Sequence, residues 1–252
     1  MPFAAAGPVT KPPPARRAAY AAPPHMNAML LADLVAEGGR SAPPQFQTEM
    51  LRPAHRESAA SVAHWAGNLA LLQASCVSVV GTREASDAGL LRAARLAREL
   101  AEAGVVVVSG LAAGIDTAAL TSAMQHHGRV VAVIGTPLDR AYPADNGPLQ
   151  ERIWREHLLL SPFAVGEPVF RANFPKRNRV MAAVSDATVI VEASDTSGTL
   201  HQAAECQRLG RWLFIMRSVA EDHALQWPPS FLGKPRTAVL DRTEEIVAAI
   251  RK

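Results

Sequence analysis

Four short stretches of the 252-residue chain combine glycine with serine or threonine: Gly81-Thr82-Arg83, Ser109-Gly110-Leu111-Ala112-Ala113-Gly114, Gly135-Thr136-Pro137 and Ser197-Gly198-Thr199. Glycine lets a ligand approach the backbone, and hydroxyls add hydrogen-bond donors. A helix starting beyond such a turn presents unpaired N–H groups and the positive end of its dipole. The chemistry this suits is an anion cradle, with phosphate the simplest occupant. The plainer alternative is architectural, because strand-to-helix turns use glycine and helix N-caps use serine or threonine in proteins of many functions. Four such turns, one carrying an arginine, favour the cradle. No G-x-G-x-x-G follows the first apolar run, which disfavours a dinucleotide, and the absence of G-x-x-x-x-G-K-[ST] excludes a P-loop triphosphatase.

A second group lies at Phe170-Arg171-Ala172-Asn173-Phe174-Pro175-Lys176-Arg177-Asn178-Arg179. No acidic residue falls between Glu167 and Asp186, while Arg171, Lys176, Arg177 and Arg179 bring positive charge beside two phenylalanines. Single-stranded nucleic acid calls for this combination: cations follow the phosphates and rings stack on bases. Pro175 suits the first turn of a helix running toward Ala183. The alternative is a solvated helix start with both phenylalanines buried, and spacing alone does not choose.

Other chemistry is thinly represented. His126 and His127 are adjacent and point apart on a helix, and His201 with Cys206 has no completing ligand pair, so no metal site is expected. Cys76 and Cys206 sit among apolar residues and read as buried thiols. Asp116 and Glu192 fall where acid–base groups could face a cleft, but each equally suits capping a helix or ordering a loop. No Ser-His-Asp set assembles from spacing.

These turns need a frame. From Cys76 the chain alternates apolar runs (Val77–Val80, Val105–Val108, Val130–Ile134, Leu158–Leu160, Ala187–Val191, Trp212–Ile215) with helical patterns such as Leu90, Ala94, Ala97 and Leu100. Runs without in–out alternation are strands covered on both faces. Gly104, Gly128 and Gly210 each follow a helical pattern, where a left-handed terminator belongs. The expected fold is α/β: a doubly wound, mostly parallel sheet with helices on both faces, closed by a helix over Glu244–Ile250. Residues 1–60 are expected to form a Pro/Ala-rich disordered tail and linker, with a short helix near Met29–Val35 ending at Gly38-Gly39. The globular domain is expected over 61–252, and a chain starting near Ser61 should keep its stability.

Composition sets the outer limits. Hydrophobic residues make up 48% of the chain, enough for a core and too many for a disordered whole. Two cysteines exclude a disulfide scaffold. No apolar run reaches the roughly 20 residues of a membrane-spanning helix. The formal net charge of +3 is carried by Lys11, Arg16 and Arg17, the only charged residues before Asp33. The remainder is neutral, so a nucleic-acid reading rests on local clustering and not on overall charge.

The order of motifs resembles the DNA-processing protein A family, also called DprA or Smf. The likeness runs through His64–Arg83, Ser109–Asp116, Val133–Asn146, Phe174–Arg179, Val191–Leu200 and Gly210–Ile215, covering about residues 64–216. It implies a Rossmann-like, cytoplasmic, non-enzymatic protein of natural transformation and DNA recombination. Such a protein binds single-stranded DNA, loads the RecA recombinase, forms homodimers and carries no cofactor. The matching DNA-binding positions are Arg83, Lys176, Arg177 and Arg179. Leu120 stands where the family commonly has a histidine, and Met216-Arg217-Ser218 replaces the family's Val-Pro-Gly turn. Two other functions share the superfamily fold: a nucleotide sensor and a LOG-type nucleoside-monophosphate phosphoribohydrolase. The hydrolase motif PGGxGTxxE has its glutamate at the start of the helix. Here Ser197-Gly198-Thr199-Leu200-His201-Gln202 leads to its first acid only at Glu205.

Overall fold

The computed structural model describes residues 20–41 and 61–251. Nine strands form one sheet: β1 Asn27–Leu30, β2 Val62–Gly67, β3 Cys76–Gly81, β4 Val106–Ser109, β5 Val130–Val133, β6 Leu158–Ser161, β7 Ala187–Glu192, β8 Trp212–Met216 and β9 Thr237–Leu240. Their order is β1-β2-β6-β5-β4-β3-β7-β8-β9. The seven strands from β6 to β9 in that order are parallel, and β2 and β1 extend one edge antiparallel. The helices are α1 Leu31–Glu37, α2 Asp87–Glu102, α3 Ile115–Gln125, α4 Gly147–Glu156, α5 Asn173–Ala183, α6 Thr199–Arg208, α7 Arg217–Ala220, α8 Pro228–Phe231 and α9 Thr243–Ile250. None among the described residues is long and apolar enough to cross a membrane.

The central strands are buried on both faces because two apolar layers sandwich them. Residues of α1, α5, α6 and α8 close one face, and residues of α2, α3, α4 and α9 close the other. From β3 the chain winds outward through β4, β5 and β6. It then returns across the sheet to lay β7 against the other side of β3. That reversal opens a crevice at the carboxyl ends of β3, β4 and β7, where doubly wound sheets bind ligands.

The expected fold class and the six expected strands are present. The tail is a correction. Residues 20–41 are folded onto the domain: β1 pairs with β2 in the register Asn27↔Trp65 to Leu30↔Val62, and Leu31, Leu34 and Val35 are buried. Arg40 clamps the segment down, pairing with Asp186 at 2.6 Å and donating to the carbonyls of Leu72 and Ala74 at 2.6 and 2.8 Å. The apolar spacing of Leu31, Leu34 and Val35 is a helix face that needs a partner, so these residues cannot be a free linker. The expectation of disorder over 1–19 and 42–60 lies outside the described residues. At the end of α3 the left-handed residue is His127, with φ 56°, one position before the expected Gly128.

Candidate functional site

Three strand ends are tied together before any ligand is considered. The Thr82 N–H donates to the Glu192 carbonyl at 2.8 Å, and the Thr199 hydroxyl donates to the Gly81 carbonyl at 3.3 Å. The Asn178 amide, from α5, donates to the Gly198 carbonyl at 3.1 Å. Gly114 has φ +75°, and a Cβ there would lie 2.5 Å from the carbonyl oxygens of both Thr82 and Arg83. Only glycine lets these turns meet. Behind them, the Asp195 carboxylate accepts the N–H groups of Gln226 and Trp227, each at 2.9 Å, so the segment before α8 buttresses the Ser197–Thr199 rim.

The result is a cleft of about 320 Å³ lined by Gly81, Thr82, Arg83, Phe174, Arg177, Asn178, Ser197, Gly198 and Thr199, among others. A smaller recess of about 100 Å³ continues from it between Gly110, Gly135, Tyr142 and Phe174. Most of the expected cradle is thus brought together. Ser109 and Thr136 do not belong to it, because both hydroxyls are used inside the fold. Ser109 donates to the Val79 carbonyl at 2.7 Å and Thr136 to the Arg140 carbonyl at 2.9 Å.

The basic group divides. Arg177 is 4% exposed, donates to the Val133 carbonyl at 3.1 Å, and stands 3.7 Å from the Asp116 carboxylate. Asp116 in turn accepts the N–H groups of Gly110 and Ala112 at 3.1 and 3.4 Å, ordering the turn after β4. Burial pushes the Asp116 carboxyl up, opposed by Arg177 and these N–H groups. Burial likewise pushes the Arg177 guanidinium down, and Asp116 opposes it. Arg177 is therefore the floor of the cleft, with its charge balanced within the fold. Lys176 and Arg179 are half-buried on other sides of α5 and do not line the cleft.

The exposed cation at the mouth is Arg83, whose guanidinium carbon lies 4.9 Å from the centroid of the Phe174 ring. Tyr142 packs against the same ring, with centroids 5.4 Å apart and planes 47° apart. Tyr142 was not singled out by sequence reasoning, although an aromatic in the polar Asp139–Asn146 loop was visible there.

Asp116 and Glu84 line the cleft, whereas Glu192 and Glu205 are engaged elsewhere in the fold. Glu192 accepts from the Ser86 N–H at 2.9 Å and the Ser86 hydroxyl at 2.7 Å, holding the serine whose side chain caps the start of α2. Glu205 is buried and paired with Arg208 at 2.6 Å. Cys76 and Cys206 are buried thiols, each pushed up to about 12 by that burial.

The chain is similar in sequence and fold to known proteins. The model of a family described as DNA recombination-mediator protein A matches residues 46–249. The DNA processing protein DprA of Streptococcus pneumoniae is 41% identical over 150 residues, 60% of this chain and 53% of that protein. The X-ray structure of the pneumococcal protein superposes with a TM-score of 0.68 at 35% identity, covering 74% of this chain and 65% of the other. DNA processing protein A from Helicobacter pylori, described as having a unique single-stranded DNA binding mode, shares the fold. Its TM-score is 0.69 at 23% identity, over 90% of this chain and 95% of that one. The chain spans about a third to a half of the length of the first curated relatives it matches.

Proposed function

The chain belongs to the DNA recombination-mediator protein A family, and on that premise we propose that it binds single-stranded DNA in the cleft at the ends of β3, β4 and β7. The observation that supports this best is the exposed Arg83 guanidinium stacked on Phe174 at the cleft mouth. It sets a cation for phosphate beside an aromatic pair, Phe174 with Tyr142 packed against it, at the mouth of the cleft. The backbone turns at Gly81–Arg83 and Ser197–Thr199 supply further donors along the same wall. In this reading Arg83 contacts phosphate, while Arg177 and Asp116 hold the Gly110–Ala112 turn in place. Gly135 seats the Phe174 ring, and Lys176 and Arg179 lie outside the cleft.

We extend the proposal, on the family resemblance, to handling of incoming strands in natural transformation and recombination in the cytoplasm, loading of the RecA recombinase, and action as a homodimer. No catalytic step is proposed. The one acid near the corresponding position of the phosphoribohydrolase motif, Glu205, is held by Arg208. Release of free base from AMP, lost in Glu205→Gln, would overturn that.

A nucleotide sensor is the second reading, because about 320 Å³ lies at the lower end of small-ligand cavities of roughly 300–1,000 Å³. Titration with single-stranded and duplex oligonucleotides beside a panel of mononucleotides separates the two. The proposal requires tight, steeply salt-dependent binding of single strands. Binding of a mononucleotide with no strand binding at low salt would replace it with the sensor.

A further inference from the structure

The Phe174 ring is half-buried and contacted on three sides. Arg83 covers it at 4.9 Å. A Cβ on Gly135 would lie 2.7 Å from its Cδ1 and 3.0 Å from its Cε1, so the ring is pressed against that backbone. Tyr142 takes a further side at 5.4 Å. A half-buried ring held on three sides supports its neighbours and offers a base less surface than an exposed one does. Tyr142 is the outer member of the stack and is 48% exposed, one of the few exposed large hydrophobic residues among those described. It also lines the recess of about 100 Å³ that leads from the cleft between Gly110, Gly135 and Arg83.

We propose that Tyr142 is the base-stacking platform of this protein, with Phe174 as its support and Arg83 placing the adjoining phosphate. The inference rests on the single-strand reading and adds to it the residue that meets a base. Tyr and Trp serve such roles well because a large rigid surface is presented with few rotatable bonds to fix. The neighbours also preset the ring: Phe174 backs it, and Pro143 follows it along the recess wall.

The test measures the full-length chain against an oligothymidylate and against copies carrying one abasic nucleotide at successive positions. Stacking removed by alanine substitution is worth about 1–3 kcal/mol per base, so Tyr142→Ala should bind roughly 5- to 150-fold more weakly. The slope of log affinity against log salt should not change, since no phosphate contact is lost. Tyr142→Phe should bind like the wild type. The decisive readout is coupling: one abasic position should weaken the wild type strongly and leave Tyr142→Ala nearly unaffected, because ring and base are partners in one contact. Unchanged affinity in Tyr142→Ala, an equal loss in Tyr142→Phe, or an abasic penalty that persists at full size in the alanine variant would each overturn the proposal. Wild-type protein that binds no strand at all would instead overturn the single-strand reading on which it stands.

Discussion

Gly110 is where the geometry makes its sharpest demand. A Cβ built there would lie 1.1 Å from Nη1 of Arg177 and 2.2 Å from its Cζ. Two groups cannot share that space, so Gly110→Ala must expel the guanidinium from a position where it is 4% exposed. Expulsion removes the hydrogen bond to the Val133 carbonyl and separates Arg177 from Asp116, now 3.7 Å apart. Stranding one member of a buried ion pair costs about 3–5 kcal/mol. At about 2–4 °C per kcal/mol for a domain of this size, the melting temperature should fall by roughly 6–20 °C. The cleft offers an escape route for the long side chain, which places the result toward the lower part of that range. Gly110 is not among the positive-φ residues, so alanine adds no backbone strain of its own. The reasoning is therefore checked by a cycle of Gly110→Ala, Arg177→Ala and the double variant, each followed by urea unfolding. If the clash is the cause, Gly110→Ala should cost almost nothing once Arg177 is already alanine. An equal cost in both backgrounds would refute the account.

Four further outcomes are expected. Leu34→Ala should destabilise by about 2–5 kcal/mol, because Leu34 is 0% exposed in the core that α1 completes; wild-type stability in a melting scan would return residues 20–41 to the status of a dispensable linker. Arg83→Ala should flatten the salt slope of strand binding by about 0.7, one phosphate's worth, while Arg177→Ala should act mainly on stability; salt titrations of both variants distinguish the roles. Gly198→Val should weaken strand binding without lowering the melting temperature, since nothing lies within 4 Å of a Cβ there while the residue lines the cleft; a thermal shift alone would show that the residue is structural. Burial holds the His157 imidazole below its ordinary value. The unfolded chain therefore takes up the proton first as pH falls, so His157 contributes stability above about 6.5 that is lost below it; unfolding midpoints of the wild type and His157→Gln between pH 7 and 5 should show a smaller loss in the variant.

The fold was legible where one signal dominated. The apolar runs that became β3 to β8 are buried on both faces, so every residue in them speaks for the same state. The elements that escaped notice are those with mixed environments. β9, Thr237–Leu240, is an edge strand with only Leu240 fully buried. β1, Asn27–Leu30, is largely exposed and exists because β2 offers it an edge. The helix near Met29–Val35 was legible, but the prolines around it dominate the composition of residues 1–60 and hid that its Leu31, Leu34 and Val35 face packs on the domain.

The candidate site was legible in content and less so in direction. The run from Phe170 to Arg179 holds aromatics and cations, but composition does not say which of them share a side. Once Pro175 is read as the first turn of a helix, spacing does. Phe174, Arg177, Asn178 and Met181 stand at i, i+3, i+4 and i+7, one stripe of a helix, and all four line the cleft. Lys176 and Arg179 lie off that stripe. The stripe also explains why Arg177 is buried: sharing a face with Met181, it is carried toward the sheet, where only Asp116 and the Val133 carbonyl make its charge tolerable. The cation left to meet a ligand is then the one on the opposite wall, Arg83, held over Phe174 by the turn that ends β3.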